Sequence, residues 1–436
     1  MSGLLDRMAK ALAGSPLADA LGTAAERFAE RRGGDDAAAD LDEGVLRGLA
    51  RVVATQPDTA IYLSNRPEWL EIAAGLAQRG LAARAEEIAG EELEILDLDL
   101  ESALDALRLR RRDEMALAAC ADLGELAPFD AVSDSLSRLA ESTARTALAL
   151  AQREVSGPDL GGDFAVVGMG KVAGREFTYH SDLDLIFLFR GGTDEIDRAT
   201  RIGQRMIAYL TTQTGAGVAY AVDTRLRPSG QQGMLVTSFE GYERYQTEQA
   251  ATWEHLAMLR ARPIAGAIGE AAERLARVRK RVLPAAQPPW SELAELRQRV
   301  VAERAAGDDG VRALKTGPGG LMDVDFCAGG GLLERGATPY PDPPGVPAML
   351  EAAAGPEAAA GLLADYALLR RVEARARWVA GRGLEELPAE LEVIAELVEA
   401  GLTGAGLRKR VAELRTRIRE AYDRVIAAGT IAALKG

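Results

Sequence analysis

Cysteine and histidine are nearly missing from this 436-residue chain, which carries two of each: Cys120, Cys327, His180 and His255. That scarcity excludes a disulfide scaffold and any zinc site built from a His/Cys cluster, and it fits a reducing compartment. Lysine is also rare, six residues against 46 arginines, so a lysine inside a motif is informative. Lys171 and Lys315 are so placed. No run of about 18 uncharged apolar residues occurs, the length a membrane helix needs, and residues 1–16 lack the apolar stretch of a secretion signal. A cytoplasmic protein without a membrane partner is expected. Basic residues number 52 against 66 acidic ones, a formal net charge of −14, which disfavours nucleic acid as a partner because phosphate binders present a basic field.

What is present is ordinary globular usage, 47% hydrophobic and 27% charged, in a chain long enough for roughly two to four domains. Through residue 150, Ala, Leu, Glu and Arg dominate and apolar residues recur at spacings of three and four, the period of a helix. From Asp163 compact apolar runs replace them. Residues 164–167 and 183–189 read as buried strands joined by a Gly-rich connection, and 218–222 as a third strand closed by the Pro228-Ser229-Gly230 turn. A helical stretch at 202–212 lies between the last two. Helical patterning resumes near Phe239 and, broken by Pro-rich stretches at 284–289 and 338–347, continues to the end. There Leu407, Val411, Leu414, Ile418, Tyr422 and Val425 form one apolar stripe. The patterns predict an α+β chain: an N-terminal helical domain at 1–135, a catalytic domain with the sheet at 136–270, and a C-terminal helical bundle at 271–436.

The densest chemistry lies where strand and glycine meet. Gly168-Met169-Gly170-Lys171 ends the first strand, and Ser181-Asp182-Leu183-Asp184 opens the second. Side chains two apart on a strand share a face, so Asp182 and Asp184 point together while Leu183 and Leu185 enter the core. Paired carboxylates repel unless a cation lies between them, and hard oxygen donors suit Mg2+ carrying a nucleoside triphosphate. Gly168 and Gly170 permit close backbone approach to phosphates, with N–H donors, and Lys171 and Arg175 add positive charge. On the third strand Asp223, Arg225 and Arg227 alternate. A third carboxylate would complete a metal site, and two guanidiniums would clamp phosphates.

Plainer readings apply elsewhere. Asp97-Leu98-Asp99 has the Asp-x-Asp spelling but sits in an acidic helical stretch without a glycine turn, and is read as a solvated face. Arg108 with Arg110 to Arg112 is read as a solvated helix face, His180 and His255 as exposed polar residues, and Trp253 and Leu256 as packing a helix onto the sheet. Lys315 with Gly317, Gly319 and Gly320 fits a phosphate loop or a domain-joining turn equally well.

Together these segments resemble the glutamine synthetase adenylyltransferase family, within the DNA polymerase β-like nucleotidyltransferase superfamily. The resemblance runs through Phe164-Ala-Val-Val-Gly-Met-Gly-Lys, Ser181-Asp-Leu-Asp-Leu-Ile-Phe-Leu, Val222-Asp-Thr-Arg-Leu-Arg-Pro-Ser-Gly, Thr252-Trp-Glu-His-Leu-Ala and Lys315-Thr-Gly-Pro-Gly-Gly-Leu-Met-Asp-Val-Asp-Phe. It implies a polymerase β-like mixed sheet flanked by helical parts, with Asp182, Asp184 and Asp223 as catalytic magnesium ligands. Gly168, Gly170, Lys171, Ser181, Arg225 and Arg227 would surround the triphosphate of ATP. The implied reaction is attack of a tyrosine hydroxyl of glutamine synthetase on the α-phosphorus of ATP, with Asp223 a candidate acceptor of the hydroxyl proton.

Family members carry two such halves, one adding AMP and one removing it by phosphorolysis. This chain is one half, and Arg227-Pro-Ser-Gly and Thr252-Trp-Glu-His are worded like the adenylylating one. A separate partner half or a PII-type signal protein are further implied partners. The competing readings are deadenylylation, a non-catalytic module binding nucleotide or glutamine synthetase, and a nucleic-acid nucleotidyltransferase, which the net charge disfavours. The chain departs from the family at Asp325, where Glu is usual, and at Gly329-Gly330-Gly331. Each of these glycines costs a helix about 1 kcal/mol relative to Ala, which predicts an irregular segment or a diverged target-facing surface.

Overall fold

Five strands form one mixed sheet in a computed structural model that describes residues 3–156, 163–283 and 290–435. They are β1 (Phe164–Met169), β2 (Leu183–Phe189), β3 (Val222–Asp223), β4 (Val236–Ser238) and β5 (Ala261–Gly266). The order is β3-β2-β1-β5, with β4 also on β2. β1 runs antiparallel to β2 and β5, while β3 and β4 run parallel to β2 along its other edge. Helices make up most of the rest, so the chain is α+β. Among the described residues no helix is long and apolar enough to cross a membrane.

The continuous apolar runs of β1 and β2 follow from burial on both faces. Leu183, Leu185, Phe187 and Phe189 of β2, with Phe164 and Val166 of β1, enter the core shared with the N-terminal helices. Ile186, Leu188, Ala165 and Val167 face Phe239, Tyr242, Ala271 and Leu275. Asp184 has the parity of Ile186 and Leu188, and it lies in register with Asp223 of β3.

The third strand is shorter than its apolar run suggests. Only Val222 and Asp223 pair, and Ala221 contributes its carbonyl to the Leu183 N–H at 2.9 Å. β4 and β5 were not legible as strands: β4 has three residues, and β5 contains Pro263, which a sheet tolerates because β5 is its edge. The arginine run is not a solvated face. Arg108 is fully buried and donates to the carbonyls of Leu104, Tyr209, Thr212 and Gly217 at 2.6–2.9 Å. Arg110 is buried as well, and Arg111 and Arg112 lie over the rings of Tyr220 and Tyr62.

The C-terminal helices build a second core that takes in Leu407, Val411, Ile418, Tyr422 and Val425 of the apolar stripe, and Leu414 is buried as well. The Pro-rich 338–347 stretch leads from the helix Leu321–Glu334 into Val346–Ala354; the 284–289 stretch lies outside the described residues. The triple glycine does not break its helix, contrary to its propensity: Leu321–Glu334 is continuous. Added Cβ atoms at Gly329, Gly330 and Gly331 would lie 2.5 Å from Leu256, 2.6 Å from the Trp290 ring and 2.6 Å from Ile431. Close packing therefore outweighs the lost propensity. Gly330→Ala is expected to destabilise the chain by about 1–2 kcal/mol, because overpacking costs about 1–3 kcal/mol and improved helix propensity offsets only part of it. Urea unfolding measures this, and an unchanged midpoint would show that the contact relaxes freely.

Candidate active site

Asp182 immediately precedes β2, Asp184 is the second residue of that strand, and Asp223 ends β3. The parallel register sets Asp184 beside Asp223, and one carboxylate oxygen from each of the three lies within 4.8 Å of the others. Among the described residues no other group of three His, Cys, Asp or Glu side chains has this geometry. Burial first, then the Asp182 and Asp223 charges, push the Asp184 carboxyl up to about 6 against the opposing charge of Lys315. Three hard carboxylate donors that repel one another fit a magnesium ion among them.

Gly170 has φ +56°, and a Cβ there would lie 3.2 Å from the Asp184 carboxylate. Glycine thus lets the turn after β1 rest directly on the trio. Two of the three carboxylates, Asp182 and Asp223, line an open cleft together with Arg225, Arg227 and Gln231.

The remaining residues singled out from sequence surround this centre, but most of their polar groups are already engaged. Gly168 lies within β1, where a Cβ would meet Val172 and Ile264, so its smallness serves packing. The Gly170 N–H donates to the Arg260 carbonyl at 3.0 Å. The buried Ser181 hydroxyl bonds to Thr178 and accepts from Arg377 at 3.3 Å. Arg175 turns away toward Asp134 and Glu141.

β3 ends at Asp223, so Arg225 and Arg227 do not alternate on a strand but occupy the turn that follows. Arg225 donates from Nε to both Asp223 oxygens, at 3.0 and 2.7 Å, and from its backbone N–H at 2.8 Å. Burial would raise the Asp223 carboxyl, but these contacts bring it below the ordinary carboxylate range. Arg227 braces the turn through Thr224, Gln231 and Gly233.

Lys171 places Nζ 2.9 Å from both oxygens of Glu373. Arg377 is a second cation on Glu373, at 3.3 Å. Burial opposes ionisation of Glu373, yet the two cations hold its carboxyl down to about 2. Lys171 is half-buried, and desolvation first, then repulsion by Arg377 and Lys315, pull it down to about 8 despite the Glu373 anion. Lys171→Met should therefore cost stability, about 2–4 kcal/mol, because a buried carboxylate loses a partner; urea unfolding measures this, and an unchanged midpoint would show that Glu373 does not depend on Lys171.

A wall of polar residues behind the trio was not foreseen. Glu176 accepts from Arg260 at 2.6 Å, Arg370 at 3.1 Å, the Tyr366 hydroxyl at 2.8 Å and the Val346 N–H at 2.9 Å. Arg260 also reaches Asp325 at 2.8 Å. Arg370, Glu373 and Arg377 recur at three and four along the helix Pro356–Ala380, a charged stripe that the sequence shows but that an exposed-face reading would dismiss.

His180 is half-buried at φ +53°, and burial with Arg111 and Arg377 pulls it down to about 4, so it is neutral. His255 is also half-buried, with Nε2 3.0 Å from the Gln246 carbonyl. Trp253 is 43% exposed rather than packed on the sheet, and Leu256 packs against Gly329 of the C-terminal helices. Glu254 caps its own helix start at Ala251 and bonds Tyr245. Asp99 caps the helix Leu100–Leu123 through Ser102, and both Asp97 and Asp99 are solvated.

Comparison with known proteins gives this geometry its context. The family model described as glutamate-ammonia ligase adenylyltransferase matches residues 46–277, more than half of the chain. The chain belongs to that family. Adenylyltransferase relatives include the bifunctional glutamine synthetase adenylyltransferase/adenylyl-removing enzyme of Thioalkalivibrio sulfidiphilus, 34% identical over 313 residues, covering 64% of this chain and 32% of the relative. The protein of the same name from Pseudomonas aeruginosa is 34% identical over 321 residues, 65% of this chain and 33% of its own. That of Aromatoleum aromaticum is 36% identical over 298 residues, 64% and 31%. The chain thus spans about a third of the length of these adenylyltransferase relatives.

Proposed function

We propose that this chain transfers AMP from ATP to a tyrosine hydroxyl of glutamine synthetase and releases pyrophosphate, with Mg2+ held by Asp182, Asp184 and Asp223. The trio carries the reading: carboxylates just before β2, on β2 and on the paired β3 converge to within 4.8 Å, two of them lining an open cleft, in a chain of the adenylyltransferase family. On this reading the mixed sheet is a polymerase β-like nucleotidyltransferase fold. The chain then divides into parts 1–135, 136–270 and 271–436, with the helix Phe129–Ser156 running across the first boundary.

Bound Mg2+ supplies charge neutralisation for the triphosphate and the departing pyrophosphate. The chain's own residues set the geometry. The paired register of β2 and β3 sets Asp184 beside Asp223, and the Gly170 turn closes on Asp184 without an intervening side chain. Asp223 is a weaker base than its position suggests, because Arg225 stabilises its charged form, so this reading does not assign it the tyrosine proton.

Phosphorolytic removal of AMP is the second reading, since the relatives' names pair both activities. The wording Arg227-Pro-Ser-Gly supports the forward direction. A PII-type protein is a proposed partner on the same family grounds. Label from α-labelled ATP should appear on glutamine synthetase in the presence of Mg2+. ADP formed only from AMP-modified glutamine synthetase and phosphate would assign the reverse direction, and inactivity in both would favour a binding module.

A further inference from the structure

A cavity of about 630 Å³ opens between the start of the helix Phe129–Ser156, the helix Pro356–Ala380 and the helix Gly404–Ala428, and it shares no lining residue with the cleft at the trio. Its volume falls in the range of small-molecule sites, about 300–1,000 Å³. Phe129, Pro347, Leu363 and Leu368 give it apolar walls. Tyr366 and Arg370 also line it, but their polar ends are already engaged. The Tyr366 hydroxyl and Arg370 donate to Glu176 at 2.8 and 3.1 Å, and Arg370 reaches the Ser133 hydroxyl at 3.3 Å.

The other charges on the lining leave one cation over. Arg410 is paired with Glu399 at 2.5 Å, and Asp130 is exposed, its Oδ1 accepting the Ala131 N–H at 2.9 Å. Arg371 is half-buried, donates one terminal nitrogen to the Val398 carbonyl at 2.8 Å and has a buried Nε without a partner. Among the described residues no carboxylate lies within 4.0 Å of it, because Asp122 is held by Arg375 at 2.8 Å and Glu399 by Arg410. Burial and then the neighbouring Arg375 disfavour its charge, which a bound anion would relieve.

We propose that this cavity binds a small molecule with an apolar body and a single carboxylate, the carboxylate on Arg371 and the body against Phe129, Pro347, Leu363 and Leu368. One uncompensated guanidinium balances one negative charge, and its planar fork matches a carboxylate. A phosphate dianion would bring surplus negative charge to a lining that already carries Glu399 and Asp130. The site is independent of the nucleotidyl-transfer reading above.

The test is calorimetric binding of octanoate, of octanamide, which keeps the body without the charge, and of acetate, which keeps the charge without the body. The proteins are the full chain, Arg371→Met, Leu363→Trp and, as a remote control, Lys280→Met. The parent should bind octanoate about tenfold or more tightly than either analogue. Arg371→Met should bring octanoate down to the level of octanamide. Leu363→Trp, which fills the cavity and leaves the Arg371 bond to Val398 in place, should weaken octanoate and octanamide together, and Lys280→Met should behave like the parent. No octanoate binding by the parent, equal parent affinity for octanoate and octanamide, or octanoate binding undiminished in Leu363→Trp or in Arg371→Met would each overturn the proposal.

Discussion

Asp184→Asn is expected to lower AMP transfer by roughly 10²–10³-fold or more, because a bound metal contributes several kcal/mol to the transition state and loses its central ligand. The same change should make the metal-free protein more stable at neutral pH. Asp184 has its carboxyl raised to about 6 in the folded chain, so its ionised form is disfavoured by folding, and the penalty grows as pH rises through that value. Removing the charge returns about 1–2 kcal/mol, one unit being about 1.4 kcal/mol and the partly solvated position reducing the sum. Below the ordinary aspartate range the carboxyl is protonated in both states, and the difference should vanish. Thermal unfolding of both proteins across pH, beside the transfer assay, checks each part. A variant that is inactive and also unstable would indicate a structural role instead.

Glu176→Ala should show the opposite combination, with stability and activity falling together. Burial opposes ionisation of Glu176, but Arg260 and Arg370 hold its carboxyl low. Its stabilisation is therefore present above the ordinary glutamate range and is lost as pH falls through the lowered value. Truncation leaves buried guanidiniums short of an anion and costs about 3–5 kcal/mol. The Arg260 backbone also holds the Gly170 turn, so loosening Arg260 reaches Asp184. Chemical denaturation with the transfer assay measures both effects, and full activity with unchanged stability would show that this wall does not support the site.

The pair Asp182 and Asp184 was legible because three local rules agree there: an apolar strand, a turn needing glycine, and carboxylates at a spacing of two. Asp223 was singled out by an alternation with Arg225 and Arg227 that does not exist, since its strand is only two residues long; what sets it beside Asp184 is the parallel register of β3 on β2, which the sequence does not display. The roles of the cations were not legible. Spacing places Lys171, Arg225 and Arg227 near the centre, but it cannot show that Glu373, Asp223 and backbone carbonyls take them up, because Glu373 lies 202 residues beyond Lys171. The glycine run misled for a related reason. Propensity counts backbone entropy alone, whereas Leu256, Trp290 and Ile431 come from distant segments and need the missing side-chain volume. β5 was hidden by Pro263, whose cost depends on the edge position that only the assembled sheet reveals.

The central claim is that the three carboxylates form a metal–nucleotide site, and its most direct test is the affinity for magnesium-saturated ATP between about pH 8 and pH 5, in the parent chain and in Asp184→Asn. The parent should bind tightly at the upper end and lose affinity as pH falls through about 6, where a proton competes with the metal for Asp184. Asp184→Asn should bind weakly throughout and show no such step. Binding that is independent of pH and equal in the two proteins would contradict the account.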